Sequence, residues 1–360
     1  MRKIVFFTKY TSKGPSSRYR TYQYKFFFDE HFETEYLPFF DDNYIDKIFS
    51  NKKVSTLQLI KFSIKRIVQI LNLIGSKDLI VIEYELIPYF PAVFEYLFKI
   101  SGVKYVLDFD DAIFHNYDNS KNKLVTFLLG SKINIISKNA AHIITGSPYL
   151  TQFLTQFNEN ITEIPTSVDV EKYSKNKEHI KNDKVVIGWL GSTTTSKNLL
   201  FLTSVINSLK KTFPEIVFRF CGFNDLLLKH FNSENVEFIK WSELNEIKFL
   251  NEIDIGIMPL EDNLFNRGKC GFKLIQYMAC GIPTISTPLE ANVKINRDNL
   301  NLFANTPSEW ISALEQVYSN PRKYADIGVK NRKIVEKYYC TQTNTDKYLT
   351  IFGDIVNKQT

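Results

Sequence analysis

Short apolar runs of strand length recur along the chain with helix-length stretches between them, and the rhythm restarts once, near residue 184. The first set is Lys3 to Phe7, Thr34 to Leu37, Leu79 to Glu83, Lys104 to Phe109, His142 to Thr145 and Ile161 to Ile164. The second is Lys184 to Leu190, Ile216 to Cys221, Val236 to Lys240, Asp254 to Met258 and Thr284 to Ser286. Runs of this kind suit parallel strands buried on both faces, and the stretches between them supply the covering helices. Ser17 to Asp29, Pro91 to Ile100 and two helices over Pro321 to Lys358 are the clearest of these. The pattern predicts an α/β chain of two domains, each with its own parallel sheet covered on both faces. At 360 residues, with 44% hydrophobic and 14% aromatic content, the chain exceeds what one core usually serves and has material for two. The expected division is a first domain at 1–168, a linker at 169–183, a second domain at 184–340 and a C-terminal helix at 341–360. The linker stands out because EKYSKNKEHIKND has almost no apolar content.

Within the second set, IDIGIMPLEDNLFNRGKCGFKLIQYMACGIPTISTP (Ile253 to Pro288) reads as one strand-loop-helix-strand unit. Its loop delivers Arg267, Lys269 and Lys273 around Gly268 and Gly271. Phe272 to Ala279 has helical spacing, Gly281 suits the C-terminal cap, and Pro283 stops the helix before the next strand. Three cations converging on a helix N-terminus favour a phosphate, because the first amides and the helix dipole point the same way. The competing reading is an ordinary unit with a solvated basic loop. Earlier in the same domain, VVIGWLGSTTTSKNLLFL sets Gly188 and Gly191 after a first strand and Lys197 at a helix start. Such a turn lets backbone approach a phosphate, although the six-position dinucleotide fingerprint is incomplete.

The string GKCGFKLIQYMACGIPTIS resembles the donor-binding segment of retaining glycosyltransferases of family 4, which have the GT-B fold of two Rossmann-like domains facing across a cleft. The resemblance implies a nucleotide-sugar donor, a UDP- or GDP-sugar, and transfer to a glycan or lipid-linked hydroxyl. It also implies retention of configuration, no metal and no cofactor. Gly191, Ser192, Thr193 and Lys197, with Arg267, Lys269, Gly271, Phe272, Lys273 and Gln276, become the donor-binding set. The sequence departs from the family pattern at two places. Ser192 stands where an arginine is usual, and Gly268 and Gln276 fall at the positions of a glutamate pair. The Gln276 amide can still bind ribose hydroxyls, and Glu261 or Asp262 are candidate substitutes for the first carboxylate. The last helix of such proteins commonly crosses back to the first domain, which Thr343 to Val356 would do here.

In the first domain, GPSSRYRTYQYKFFF brings Arg18 and Arg20 into the first turns of a helix that Ser16 or Ser17 can cap. By resemblance this loop faces donor phosphates and acceptor, with Arg18 the favoured contact; alternatively both arginines cover the helix surface. YVLDFDDAIF ends a strand with Asp108, Asp110 and Asp111. An Asp-x-Asp pair invites a metal, but two sheets and cationic phosphate signals favour a role for Asp110 or Asp111 in orienting an acceptor hydroxyl or taking its proton. Capping of the following helix is the alternative. Glu83 and Glu85 close another strand, and Ser147 suits an N-cap. Val54 to Ile74 is the most amphipathic stretch, with Lys61, Lys65 and Arg66 among its apolar residues. It suits either an anionic membrane surface or packing on the first sheet with a basic outer face.

Other classes fit less well. A net charge of +6, from 45 basic against 39 acidic residues, without a recognisable nucleic-acid module, argues against nucleic acid. Four scattered cysteines and five histidines show no disulfide framework or zinc spacing. The opening apolar run is too short for a signal peptide or a spanning helix, so a cytoplasmic setting is expected. A sugar-nucleotide epimerase, a non-catalytic ligand-binding protein and, least, a dinucleotide oxidoreductase remain as alternatives.

Overall fold

The computed structural model describes residues 2–50, 52–173 and 185–358. They form two compact units: Met1–Thr166 with Arg267–Cys270 and Thr341–Thr360, and Ser167–Asn266 with Gly271–Cys340. The polar linker lies, from residue 174 on, outside the described residues, as does Lys184 at the start of an expected strand. Its described beginning is part of the second unit, where Val168 donates its N–H to the Tyr339 carbonyl (3.0 Å) and Tyr173 is buried.

The first unit has a six-stranded sheet of β1 (Lys3–Phe7), β2 (Glu33–Tyr36), β3 (Leu79–Glu83), β4 (Tyr105–Phe109), β5 (His142–Thr145) and β6 (Ile161–Glu163). Every pairing is parallel, in the order β2-β1-β3-β4-β5-β6. Alternate side chains feed two cores. Val5, Phe7, Ile80 and Ile82 meet the helices Thr56–Leu71, Val93–Ile100, Lys123–Leu129 and Lys132–Asn139 on one face. Ile4, Phe6, Leu79 and Val81 meet Tyr24 and Phe28 with Tyr348, Ile351 and Phe352 of the last helix on the other. That helix, Thr341–Asn357, thus supplies one side of the first unit's core.

Two expectations need correction here. The helix from Ser17 is broken into Pro15–Arg20, a 3-10 turn Tyr22–Tyr24 and Lys25–His31, with the break at Thr21 (φ −125°, ψ −61°) next to the inward-turned Arg20. Arg66 is not part of a basic outer face. It is buried, donates to the Thr8 carbonyl (3.1 Å) and lies 4.4 Å from the Phe7 ring, while desolvation lowers its pKa to about 9.

The second unit repeats the plan with β7 (Val186–Leu190), β8 (Val217–Cys221), β9 (Val236–Ile239), β10 (Ile255–Met258), β11 (Thr284–Ser286) and β12 (Leu302–Phe303). The order is β12-β11-β10-β7-β8-β9, all parallel. One face packs on Thr203–Thr212 and Pro307–Ser319, the other on Phe272–Ala279 and Pro321–Tyr338. Strand order reverses next to β1 in the first sheet and next to β7 in the second, and a crevice outside the carboxyl ends of such strands is where open α/β sheets bind ligands.

Candidate active site

In the second unit the reversal lies between β7 and β10; Gly191, Ser192, Thr193 and Lys197 follow β7, and Gly271, Phe272, Lys273 and Gln276 lie on the helix Phe272–Ala279 and its N-cap, after β10. After β7, Gly191 leads into a tight turn in which the Ser192 carbonyl accepts from the N–H groups of Thr195 (3.0 Å) and Ser196 (3.1 Å). Gly191 is required by packing, since a Cβ there would lie 2.1 Å from the Trp189 ring. Ser192 Oγ is 3.0 Å from Thr194 Oγ1, Thr193 is half-buried, and Lys197 is exposed in the following 3-10 helix Ser196–Leu202. After β10, Asn198 ties the two loops together: its Oδ1 accepts from Glu261 N–H (3.5 Å) and Asn266 Nδ2 (3.4 Å). Glu261 accepts from Asn263 and is exposed, as is Asp262.

The helix Phe272–Ala279 starts at Gly271. Its φ of +66°, and an Ile295 side chain that would stand 2.4 Å from any Cβ at this position, leave room for glycine alone. Lys273 Nζ lies 5.8 Å from the centre of the Trp189 ring, which links this helix start to the β7 turn. Gln276 is buried lower on the helix. Its Nε2 donates to Tyr173 Oη (3.0 Å) and Glu246 Oε1 (3.1 Å), and Glu246 also accepts from Tyr173 (2.6 Å) and Trp241 Nε1 (2.8 Å). The donor half of the expected ribose-binding amide is therefore committed inside the unit. Tyr173, Trp241 and Glu246 carried no motif that would have singled them out.

The three loop cations are divided: Lys273 belongs to the second unit, whereas Arg267 and Lys269 fall in Arg267–Cys270, which groups with the first. In that unit Lys269 Nζ lies 2.7 Å from Asp111 Oδ1. Burial alone would lower the lysine's pKa, but Asp111 beside it raises it overall. Ser147 stands at a helix N-cap, yet its hydroxyl donates to the Gly268 carbonyl (3.1 Å) instead of capping. Thr166 Oγ1 donates to Cys270 Sγ (3.3 Å). A Cβ on Gly268 would lie 2.4 Å from Ala112 Cβ, so the position of the first expected glutamate admits no side chain.

In the first unit the carboxyl ends of β3 and β4 carry a group of carboxylates. Asp110 is buried, hydrogen-bonded to Ser16, and pushed up to about 6 by desolvation and then by Asp111. Neither aspartate caps the next helix, a 3-10 turn Ile113–Asn116 whose N-cap is Ala112. Asp108 is held by Arg20, with Nη2 to Oδ1 at 2.5 Å, and Arg20 also donates to the Ile164 carbonyl (2.6 Å). The expectation that both arginines cover the surface fails for Arg20. Arg18, two residues earlier, lies over the Tyr19 ring at 4.9 Å. Ser17 likewise does not cap its helix: its Oγ accepts from Tyr10 N–H (2.9 Å) and donates to Glu83 Oε2 (2.6 Å). Glu83 Oε2 also accepts from Lys9 N–H (3.0 Å), while its Oε1 has no partner among the described residues. Desolvation, then Asp110, raises Glu83 to about 8. Glu85 is elsewhere, taken up by Tyr117 (2.7 Å) and Lys132.

Comparison with known proteins accords with this geometry. Residues 170–334 match the family model "Glycosyl transferases group 1". The putative teichuronic acid biosynthesis glycosyltransferase TuaH of Bacillus subtilis is 24% identical over 204 residues, covering 51% of this chain and 49% of that protein. The chain thus spans about half the length of the curated relative it matches. Among solved structures, sucrose-phosphate synthase from Thermosynechococcus elongatus superposes with a TM-score of 0.74 at 11% identity, over 99% of this chain and 100% of that one. Anabaena HepE, solved in complex with UDP-glucose, gives 0.70 at 12% identity over 99% and 100%. The two parallel six-stranded sheets with their flanking helices are a GT-B fold, and the match to the group 1 glycosyl transferase model lies over the second of them.

Proposed function

We propose that this chain is a glycosyltransferase that moves a sugar from a nucleotide-sugar, a UDP- or GDP-sugar, to a hydroxyl of a glycan or lipid-linked acceptor in cell-surface polysaccharide synthesis. The observation that carries the reading is the group 1 match over 170–334 on a unit whose Gly191 turn and Phe272 helix start flank the strand-order reversal. The donor diphosphate rests at that helix start, among Gly191, Ser192, Thr193 and Gly271, with Lys197, Lys273, Lys269 and Arg267 neutralising its charge. These cations do the work a metal would otherwise do. Gln276 offers its Oε1 to the ribose. Asp110, poised near 6, takes the acceptor proton, Asp111 holds Lys269, and Arg18 orients the reacting groups. The bond from the anomeric carbon to phosphate oxygen breaks with its electron pair passing to the diphosphate, and the acceptor oxygen bonds to that carbon. Retention of configuration and membership of family 4 follow the resemblance in the Phe272 segment. The enzyme works at the cytoplasmic face of the membrane as a peripheral protein.

Thermal stabilisation by a panel of UDP-, GDP-, CMP- and dTDP-sugars, followed by transfer assays with the stabilising donor, tests this directly. One nucleotide class is expected to raise the melting temperature, and Lys273→Ala to cut turnover about a hundredfold. Stabilisation by none of the donors, or unchanged turnover in Lys273→Ala, would overturn the corresponding assignment.

A further inference from the structure

The short helix Pro15–Arg20 holds the carboxyl ends of two neighbouring strands through three of its side chains. Ser17 donates to Glu83, Ser16 is hydrogen-bonded to Asp110, and Arg20 is paired with Asp108. Glu83 and Asp108 face each other in the β3–β4 ladder, so Asp110 stands two residues beyond the partner of Glu83. Tyr84, directly after Glu83, is buried with a φ of +64°, a conformation that is costly for a tyrosine. It is held there by its N–H on the Asp108 carbonyl (2.9 Å) and its hydroxyl on Ser16 (3.4 Å). The two strand ends and the helix thus fix both carboxyls from several sides.

Each of these carboxyls is used through one oxygen only. Glu83 is 3% exposed and Asp110 9%, yet Glu83 Oε1 and Asp110 Oδ1 have no hydrogen-bond partner among the described residues. Buried polar atoms ordinarily have one, so two such oxygens at adjacent strand ends point to a ligand that carries hydroxyls. Their roles differ. Glu83 Oε2 already accepts from Lys9 N–H and the Ser17 hydroxyl, so a proton on this carboxyl sits on Oε1 and makes it a donor. Asp110 is the strongest charge acting on Glu83, and two desolvated carboxyls side by side do not both ionise readily. Asp110, at about 6, gives up its proton first, and Glu83 keeps its own up to about 8. Among the described residues no cation pairs with Glu83. Lys9 Nζ lies over the rings of Tyr10 (5.2 Å) and Tyr84 (5.1 Å), and Arg66 donates to the Thr8 carbonyl, while burial pushes up the nearby Tyr22 hydroxyl. Around Asp110, Arg20 is held by Asp108 and Lys269 by Asp111, and burial keeps the Tyr348 hydroxyl and the Cys270 thiol protonated. An acid that stays neutral beside an ionised one supplies a donor and an acceptor at neutral pH.

We propose that Glu83 is a further acceptor-contacting residue, which donates from Oε1 to the hydroxyl next to the one whose proton passes to Asp110 Oδ1. A donor aimed at the attacking oxygen itself would occupy the lone pair that the reaction uses, so Glu83 serves the neighbour. Adjacent strands lie about 4.8 Å apart, a spacing that suits groups on neighbouring carbon atoms. The acceptor is therefore a sugar with a free hydroxyl beside the reacting one. The inference rests on the proposed transfer reaction for what enters this site.

Saturation-transfer NMR of the full chain with the methyl glycosides of glucose, galactose, mannose and N-acetylglucosamine, at pH 7 and pH 9, tests it. A glycoside bound by the wild type at pH 7 should bind about tenfold more weakly at pH 9, one unit above the Glu83 value, as the Oε1 proton is lost. Glu83→Gln should bind it equally at both pH values and as well as the wild type does at pH 7. Its amide oxygen can accept from Lys9 and Ser17 while its nitrogen donates where Oε1–H did. Glu83→Ala should bind about tenfold more weakly at both. Removing one ring hydroxyl from the glycoside should cost the wild type about the same factor and cost Glu83→Ala nothing further. No glycoside bound by the wild type, equal wild-type binding at the two pH values, or a loss at pH 9 that Glu83→Gln shares would overturn the proposal. The expected pH pattern without transfer from any nucleotide-sugar would uphold the Glu83 contact and sink the transferase reading instead.

Discussion

Glu83 sits at the end of β3 where every other residue of the strand is apolar, and its burial decides its protonation. Desolvation, with Asp110 nearby, raises it from an ordinary 4.5 to about 8. A carboxyl whose folded value lies above its unfolded one contributes stability that is fully present below the unfolded pKa and is lost as pH rises through the folded one. The window here runs from about pH 4.5 to about pH 8. Glu83→Gln keeps an acceptor for Lys9 N–H and Ser17 Oγ but has no charge to bury. Melting temperatures should therefore converge below about pH 4.5, diverge steadily across that window and level off above about pH 8, the variant becoming the more stable by roughly 2–4 kcal/mol. Parallel profiles would show that Glu83 is ionised in the fold. Gly268 teaches the opposite lesson at the same scale: the family pattern marks it as a missing glutamate, and only the Ala112 contact explains why no side chain stands there.

At the scale of elements, the strands were legible because each is a short apolar run; Lys3–Phe7, Leu79–Glu83, His142–Thr145 and Thr284–Ser286 begin and end where the residues change character. Leu302–Phe303 was not, since two residues carry no period. The Ser17 helix was over-extended because local propensity is blind to Arg20 being drawn to Asp108, eighty-eight positions away. The candidate site was readable where glycines and cations cluster, and unreadable where its groups are paired by tertiary contacts, as with Gln276 and Tyr173. The last helix shows what such contacts are worth. Phe352 is fully buried against Phe6, Phe28 and Phe32, at ring-centre distances of 6.0, 5.5 and 6.5 Å. Phe352→Ala should cost about 3–5 kcal/mol, whereas Gly353→Ala, one residue on with nothing within 4 Å of its Cβ, should be neutral or gain up to about 1 kcal/mol. Urea unfolding of the two variants measures the contrast, and a Phe352→Ala protein as stable as the wild type would mean that the helix does not close the first unit's core.

Each unit has its own pair of cores built from separate residue sets, and the three tryptophans are Trp189, Trp241 and Trp310, all in the second unit. Tryptophan fluorescence therefore reports that unit alone, while far-ultraviolet circular dichroism reports both. On the proposed reading, a donor nucleotide at the Gly191 turn and the Phe272 helix start takes most of its contacts from the second unit and should stabilise chiefly that unit. At a hundredfold excess over Kd the gain is about 2.7 kcal/mol, a rise of roughly 5–10 °C in the fluorescence-detected transition for a unit of this size. Phe352→Ala, acting on the first unit, should lower the dichroism-detected transition and leave the fluorescence-detected one within about 2 °C of the wild type. If instead both probes report one coincident transition in the wild type, in the variant and with nucleotide bound, the units unfold as a single cooperative body and the division of the chain into separately stabilised halves is wrong.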